Sequence, residues 1–286
     1  MKLDYSFIRY LAAKKTIDER ALNQSVWHCL TQRLPTATPD NPLRIVEVGA
    51  GIGTMAERLL EHNLLTHAIY TAIDIKATNI QAAKERLQRV SPNVRLELEA
   101  IDLFDFAARE DGRCWDLLIA HAFLDLMNVP STLPVLFSFL RPGGLFYFTL
   151  NFDGATILQP TIDAAFDAQV EALYHRTMDE RLTNGQPSGD SRTGRHLFHQ
   201  LLASGAEILA AGSSDWVVFA GKDGYPADES YFLHFIINTM QQALATHCEI
   251  DQKRFQNWIA QRHAQVEKGT LVYIAHQLDF LGRVGN

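Results

Sequence analysis

The stretch Leu43-Arg-Ile-Val-Glu-Val-Gly-Ala-Gly-Ile-Gly-Thr54 constrains the fold more than any other part of the chain. Leu43 to Val48 is a short, mostly apolar run bounded by Pro42 and Gly49. Such a run reads as a strand buried on both faces, as parallel sheets require. Gly49, Gly51 and Gly53 follow at alternate positions, and Met55 to Leu60 opens a helix. Strand, glycine turn and helix form the first half of a nucleotide-binding βαβ unit. A dinucleotide fingerprint would place its third glycine at Thr54, whereas here it falls one residue earlier, at Gly53. Glu47 stands two residues before Gly49. Glycines lacking Cβ atoms let a ligand lie against the loop backbone. A carboxylate at the strand end accepts hydrogen bonds from a ligand ammonium and offers nothing to a pyrophosphate. The alternative is a tight strand–helix turn with no ligand.

The next apolar strand, Ala68 to Ile73, ends in Asp74, at the offset a βαβ unit gives to a ribose-binding acid. Val94 to Ala100 alternates as an edge strand does and leads into Ile101-Asp102-Leu103. Trp115 to His121 is a fourth strand, and Leu140-Arg-Pro-Gly-Gly144 is a turn before a fifth, Leu145 to Leu150. Together these segments resemble motifs I to IV of the class I S-adenosylmethionine-dependent methyltransferases, over roughly residues 43–151. The resemblance implies an α/β fold. Its core is a doubly wound seven-stranded sheet with helices on both faces and the last strand antiparallel. It also implies S-adenosyl-L-methionine as cofactor. By that resemblance the ligand lies on Glu47, Gly49, Ala50, Gly51 and Gly53, with Asp74 on both ribose hydroxyls and Ile75 beside it. Asp102 and Leu103 then meet the adenine, and Ala120 and His121 lie near the transferable methyl group. Phe104 and Phe106 stand beside that wall, although core packing explains both better.

The rest of the chain departs from the minimal core. Residues 1–34 read as a helical cap, with Ile17, Ala21, Leu22, Val26 and Leu30 at helical spacing and Asp18 placed to cap. Arg20 and Asn23 are candidates to face the cofactor from it. Three prolines in Leu34–Pro42 make a linker. Residues 43–221 form the expected core, interrupted by an insertion at 151–194. The insertion comprises a helix after Pro160 and a polar, glycine-rich segment, 183–194, expected to be mobile. Ala206–Gly212 and Trp216–Gly221 read as a terminal hairpin. A C-terminal extension, 226–286, reads as three helices, the last at Thr270–Leu281. Its apolar faces pack on the core or leave room for a homodimer.

Substrate class follows from exclusions. The net charge of −7 and pI near 5.9 argue against a nucleic-acid partner. No Asn/Asp-Pro-Pro-aromatic stretch follows the fourth strand, and no Pro-Cys pair is present, so the chain lacks the marks of base-methylating relatives. A small-molecule acceptor is therefore expected. His121 and Asp125 are the candidate bases, with His196 and His199 behind them. Phe123, Asn151, Arg192 and Arg195 are the candidate acceptor contacts, the two arginines placed to hold an anionic acceptor. Cys29, Cys114 and Cys248 show no metal spacing, so no metal is expected. Sparse cysteines and the lack of a long apolar stretch point to the cytoplasm and away from a membrane. A binding protein that holds the cofactor without transferring its methyl group is the rival reading. A nicotinamide oxidoreductase is a weaker one.

Overall fold

The computed structural model describes residues 4–110, 114–183 and 185–285. Most of the turn expected at Asp111–Cys114 lies outside them. Helices α1 (Phe7–Ala21) and α2 (Gln24–Arg33) precede β1 (Leu43–Val48), α3 (Thr54–Glu61) and β2 (Ala68–Asp74). Next come α4 (Ala77–Arg86), β3 (Val94–Ala100), α5 (Leu103–Arg109), β4 (Trp115–His121), α6 (Val129–Phe139) and β5 (Leu140–Gln159). The insertion holds α7 (Ala164–Asp179) and a two-rung hairpin, β6 (Leu182–Thr183) with β7 (Gln186–Pro187). The chain closes with α8 (Thr193–Ala203), β8 (Glu207–Ser213), β9 (Trp216–Val218), α9 (Glu229–Leu244), α10 (Gln252–Glu267) and β10 (Val272–Arg283). None of the described helices is long and apolar enough to cross a membrane.

The main sheet runs β3-β2-β1-β4-β5-β10-β8, with β9 also on β10. The first five strands are parallel and the rest pair antiparallel. The order reverses between β1 and β4, which places a ligand crevice at the carboxyl ends of those strands. One face buries Ile45, Tyr70, Leu117, Ile119 and Tyr147 beneath α2 and α3. The other buries Val46, Val48, Leu118, Phe146 and Phe148 beneath α5, α6 and α8. The near-continuous apolar runs of β1 and β4 follow from burial on both sides.

The C-terminal half differs from the sequence expectation. Thr270–Leu281 is not a helix, because Val272–Arg283 is strand β10, sandwiched between β5 and β8. The expected hairpin of 206–212 with 216–221 is absent too. β8 and β9 instead follow one another along the same edge of β10, from Arg283↔Glu207 to Tyr273↔Val218. β5 is also far longer than Leu145–Leu150. It pairs with β10 out to Gln159, so the sheet continues past the crevice as a three-stranded antiparallel platform. Helices α1, α7, α9 and α10 cover that platform, burying Phe152, Val170, Phe232, Ile237, Phe255 and Tyr273 together. Two of the three expected C-terminal helices therefore form, and they pack on the core.

The cap divides into two helices at Leu22–Asn23. Ser6, not Asp18, caps α1, and Asn23 caps α2 by accepting from the Val26 amide. Segment 183–194 is tied down wherever it is described. Gly189 N donates to Met127 O, Ser188 N to Arg181 O, and Ser191 N to the Asp179 carboxylate.

Candidate active site

The glycine loop has the left-handed backbone that glycine adopts without a Cβ penalty. Gly49, Gly51 and Gly53 all take positive φ, at 65°, 55° and 78°. Phe123, just past β4, packs so tightly on Gly49 that a Cβ there would lie 2.4 Å from its ring. Leu11 of α1 lies 3.4 Å from where a Cβ on Gly51 would stand. The N-terminal cap thus lies over the loop, and Phe7 extends it by covering Lys76, whose Nζ is 3.9 Å from the ring centroid.

Asp74 closes β2, 9% exposed. Its Oδ2 accepts from Gly51 N at 2.9 Å, and its Oδ1 accepts from Lys76 N at 2.8 Å and Asn79 Nδ2 at 3.1 Å. A carboxylate has about four acceptor positions. With three filled, Asp74 has room for one ribose hydroxyl rather than the expected two. Replacing Asp74 by Ala should weaken S-adenosylmethionine binding by about 1.5–3 kcal/mol, or roughly ten- to a hundredfold. Titration calorimetry would read this, and an unchanged affinity would remove Asp74 from the site.

The tips of β2 and β3 leave an apolar pair in the open. Ile75 is 69% exposed and Phe104 46%. Between them Asp102 caps α5, accepting from Phe104 N at 2.7 Å. Isolated apolar exposure is ordinary, but two large side chains flanking an acid at adjoining strand tips suit the two faces of an adenine. Leu103 and Phe106 are buried instead, Phe106 against Trp115 and Phe139. These residues fit S-adenosylmethionine.

Several expected contacts are placed elsewhere. Glu47 is 1% exposed and accepts from the Tyr70 hydroxyl at 2.8 Å, beneath the loop rather than in the crevice. Its side chain lies on the α3 face of the sheet, where burial pushes its pKa up to about 8. It is therefore protonated at neutral pH. A carboxyl whose folded pKa exceeds its unfolded value stabilises fully below about pH 4.5, and the effect is lost as pH rises through 8. The Glu47→Gln variant should therefore gain on the parent between pH 5 and pH 9 in urea unfolding, and parallel pH profiles would contradict the assignment.

Arg20 turns its guanidinium to Glu229 of α9, at 2.6 and 2.9 Å, and so is not available to the cofactor. Asn151 is fully buried, donating to Leu278 O, because β10 covers that edge of β5. Arg195 is held by Asp153 at 2.8 Å. Arg192 is exposed and lies against Gly154. His196 pairs with Asp190, and His199 is exposed on α8. Ala50 is buried, its N–H on Ile73 O, and Ala120 is buried in β4.

His121 is a joint rather than a base. Its Nε2 lies 3.2 Å from Asp18 Oδ2, and its Nδ1 lies 2.7 Å from Thr149 Oγ1. Burial pushes the imidazole pKa down to about 4, against the pull of Asp18. The ring is thus neutral at pH 7. An ionised carboxylate only accepts, so the one ring proton sits on Nε2 and Nδ1 accepts from Thr149. Neither nitrogen is free to take a proton from an acceptor. Asp18 also accepts from Lys14 Nζ and Trp216 Nε1, both at 2.9 Å. Burial alone would raise the Asp18 pKa, but Lys14 and then His121 bring it to about 2. Helix α1 is thereby fixed to the tip of β4 and the middle of β5.

Beside this joint the backbone is strained. Ala122 and Leu150, the residues after His121 and Thr149, both take positive φ, at 50° and 56°. Ala122 N donates to Thr149 O, and buried Asp279 accepts from Leu150 N. Strain of this kind persists only where surroundings over-determine it, and it concentrates at functional sites. Past the kink stands Asp125. Its Oδ1 is buried with no partner among the described residues, and burial pushes its pKa up to about 6. Of the two expected bases, Asp125 is the one left available. Thr149 gave no sequence signal and Asp18 only that of a helix cap, since their partners come from distant segments. Clefts of about 230 and 200 Å³, both lined by Asp116 and Arg141, open at the opposite ends of the strands, away from this chemistry.

Residues 46–146 match the model of a methyltransferase-domain family. No curated protein matches the chain. Among solved structures it is similar to a proposed sarcosine dimethylglycine methyltransferase from Galdieria sulphuraria. That match has 12% identity and a TM-score of 0.49 and covers 99% of this chain and 92% of the other. It is also similar to an S-adenosylmethionine-dependent methyltransferase from Thiobacillus denitrificans in complex with S-adenosylhomocysteine (15%, 0.46, 98% and 99%). A third is geranyl diphosphate C-methyltransferase from Streptomyces coelicolor A3(2) (12%, 0.46, 92% and 77%). Likeness at this level says nothing about the acceptor.

Proposed function

We propose that the chain, whose residues 46–146 match a methyltransferase-domain family, is a class I S-adenosylmethionine-dependent enzyme that methylates a small-molecule acceptor held beside Asp125. The observation that carries this reading is the buried, unpartnered Asp125 Oδ1 just beyond the strained tip of β4, two residues after the Phe123 that packs on Gly49. A buried polar atom without a partner is costly, and a ligand that completed its bonding would remove that cost. The bound cofactor supplies an electrophilic methyl group. The chain's own work is alignment, desolvation and removal of a proton.

Each element has a share in that work. The glycine loop offers backbone to the cofactor, Asp74 accepts one ribose hydroxyl, and Ile75 and Phe104 sandwich the base. Helix α1 covers the loop through Leu11 and Phe7, excluding water. The His121–Thr149–Asp18 joint fixes that cover against β4 and β5. Asp125, with a pKa about 6, is mostly ionised at neutral pH and basic enough to accept a proton. The acidic balance of the chain supports an acceptor other than nucleic acid.

The test is release of S-adenosylhomocysteine over a panel of small amines, alcohols, phenols, thiols and carbon acids. We expect release with at least one class, and its loss in Asp125→Asn. Tight binding of S-adenosylmethionine with no release from any class would instead favour a binding protein.

A further inference from the structure

We propose that the cleft between β5 and α7 is a second ligand site. It takes a small apolar molecule whose primary ammonium stands next to a carbonyl oxygen, as in an α-amino acid or its amide. The cleft has a volume of about 220 Å³. One wall is the stretch Thr156–Gln159 of β5, beyond Thr149, where β4 stops pairing with it. The other is the first turns of α7, with Ala164, Ala168 and Glu171. Met240 of α9, with Trp258 and Arg262 of α10, completes the lining. None of the lining residues belongs to the glycine loop or to the segment 121–125.

Three polar groups border this apolar space. Arg262 is wholly buried, and its Nε and Nη2 have no hydrogen-bond partner among the described residues. Nη1 donates to Pro160 O at 2.7 Å and to Gln265 Oε1 at 2.9 Å. Nη2 stands 2.9 Å from Asp167 Oδ2 without the alignment of a hydrogen bond. Asp167 therefore balances the Arg262 charge, and it also accepts from Trp258 Nε1 and Ile162 N. What is left over is the Nε donor. Glu171 is the second group, and its Oε1 accepts from Thr156 N at 3.1 Å. The other arginines of α7 and α10 are engaged elsewhere, Arg176 by Glu249 and Arg254 by Asp163, both at 2.6 Å. Lys253 does not line the cleft. His175 meets Thr156 Oγ1 at 2.9 Å, and burial lowers its pKa, so it is neutral at pH 7. Of the lining residues only Arg262, Asp167 and Glu171 carry charge, which leaves the cleft with one net negative charge, on Glu171. The third group is the edge of β5. Amides alternate sides along an antiparallel pair, and Thr156 N points away from β10. Leu158 N–H and C=O therefore point the same way, toward the cleft. An anion would meet Glu171 with Asp167 behind it. A cation with no acceptor would leave Arg262 Nε buried and unpaired, which is costly. An ammonium next to a carbonyl oxygen serves both ends, the first on Glu171 and the second on Nε. Its apolar remainder lies against Ile157, Met240 and Trp258.

The test is calorimetric titration of the full chain with L-leucine, L-leucinamide, isoamylamine and isocaproamide. The third lacks the carbonyl and the fourth the ammonium. We expect leucine or leucinamide to bind about tenfold or more tighter than either of the last two. Glu171→Gln keeps an oxygen for Thr156 N and should erase the preference over isocaproamide. Ala168→Trp, at an exposed position of α7, should fill the cleft and abolish binding. Bound leucine or leucinamide should also slow amide exchange in 156–171 and leave 121–125 unchanged. No binding of either ligand at millimolar concentration, equal binding of isoamylamine or isocaproamide, or affinity indifferent to both substitutions would each overturn the assignment. The methyltransferase reading rests on other residues and stands or falls apart from these results.

Discussion

Replacing Asp18 by Ala should lower the free energy of unfolding by about 3–5 kcal/mol, the cost of stranding one half of a buried ion pair. The side chains of Lys14 and Asp18 are 8% and 2% exposed, so water cannot solvate the ammonium once its partner is gone. His121 Nε2 and Trp216 Nε1 lose their acceptor in the same step. Urea unfolding gives the value, provided the slope of the transition is unchanged. A double variant, Lys14→Met with Asp18→Leu, should be less destabilised than Asp18→Ala, because it removes the charge as well as its partner. A loss under about 1 kcal/mol for Asp18→Ala would mean that Lys14 finds solvent and that the joint does not hold α1 down.

Gly49→Ala should weaken S-adenosylmethionine binding by at least about a hundredfold, roughly 3 kcal/mol. Two costs combine. A φ of 65° disfavours any residue with a Cβ by about 1–2 kcal/mol. The new methyl would also stand 2.4 Å from the Phe123 ring, so either the ring leaves or the loop moves off its ligand-binding path. The two costs separate experimentally. Adding Phe123→Ala to Gly49→Ala removes the collision and leaves the backbone strain, so part of the affinity should return. Calorimetry on the four proteins closes the cycle. Binding by Gly49→Ala within about threefold of the parent would show that the ligand does not depend on this backbone.

The legible parts of the chain were those whose partners are near in sequence. β1 to β4, the glycine loop, Asp74 and the capped helices of the core follow from runs, turns and offsets spanning a few dozen residues. Val272–Arg283 was illegible for a physical reason. Its buried face carries Gln277 and Asp279, both hidden from solvent, so the alternation that marks a strand is broken by polar residues. Asp279 is there to accept from Leu150 N and Asn23 N, two backbone groups in distant segments. Its neighbours Leu278 and Leu281 favour a helix when read alone, and pairing on both edges overrides them. The candidate site divides in the same way. The cofactor loop declared itself by glycine spacing. Glu47 and His121 were found by position, but their partners Tyr70, Thr149 and Asp18 assigned them structural work. Asn151 and Arg195 likewise looked available until β10 and Asp153 were in place.

The placement of β10 also bears on how the molecule is made. β5 is synthesised more than a hundred residues before the strand that covers its edge, since Gln159 pairs with Val272 and Leu145 with Arg283. Until then a nascent chain carries a long, apolar β5 with one row of amides and carbonyls open to any passing strand. β8 emerges in the interval and can pair with β5 only wrongly, because β10 must lie between them. Closing so distant a contact is slow, and the open edge is the kind of surface on which chains aggregate. Expression at low temperature, or with abundant holding chaperones, should therefore raise the soluble yield of this protein more than a stabilising substitution in its N-terminal half.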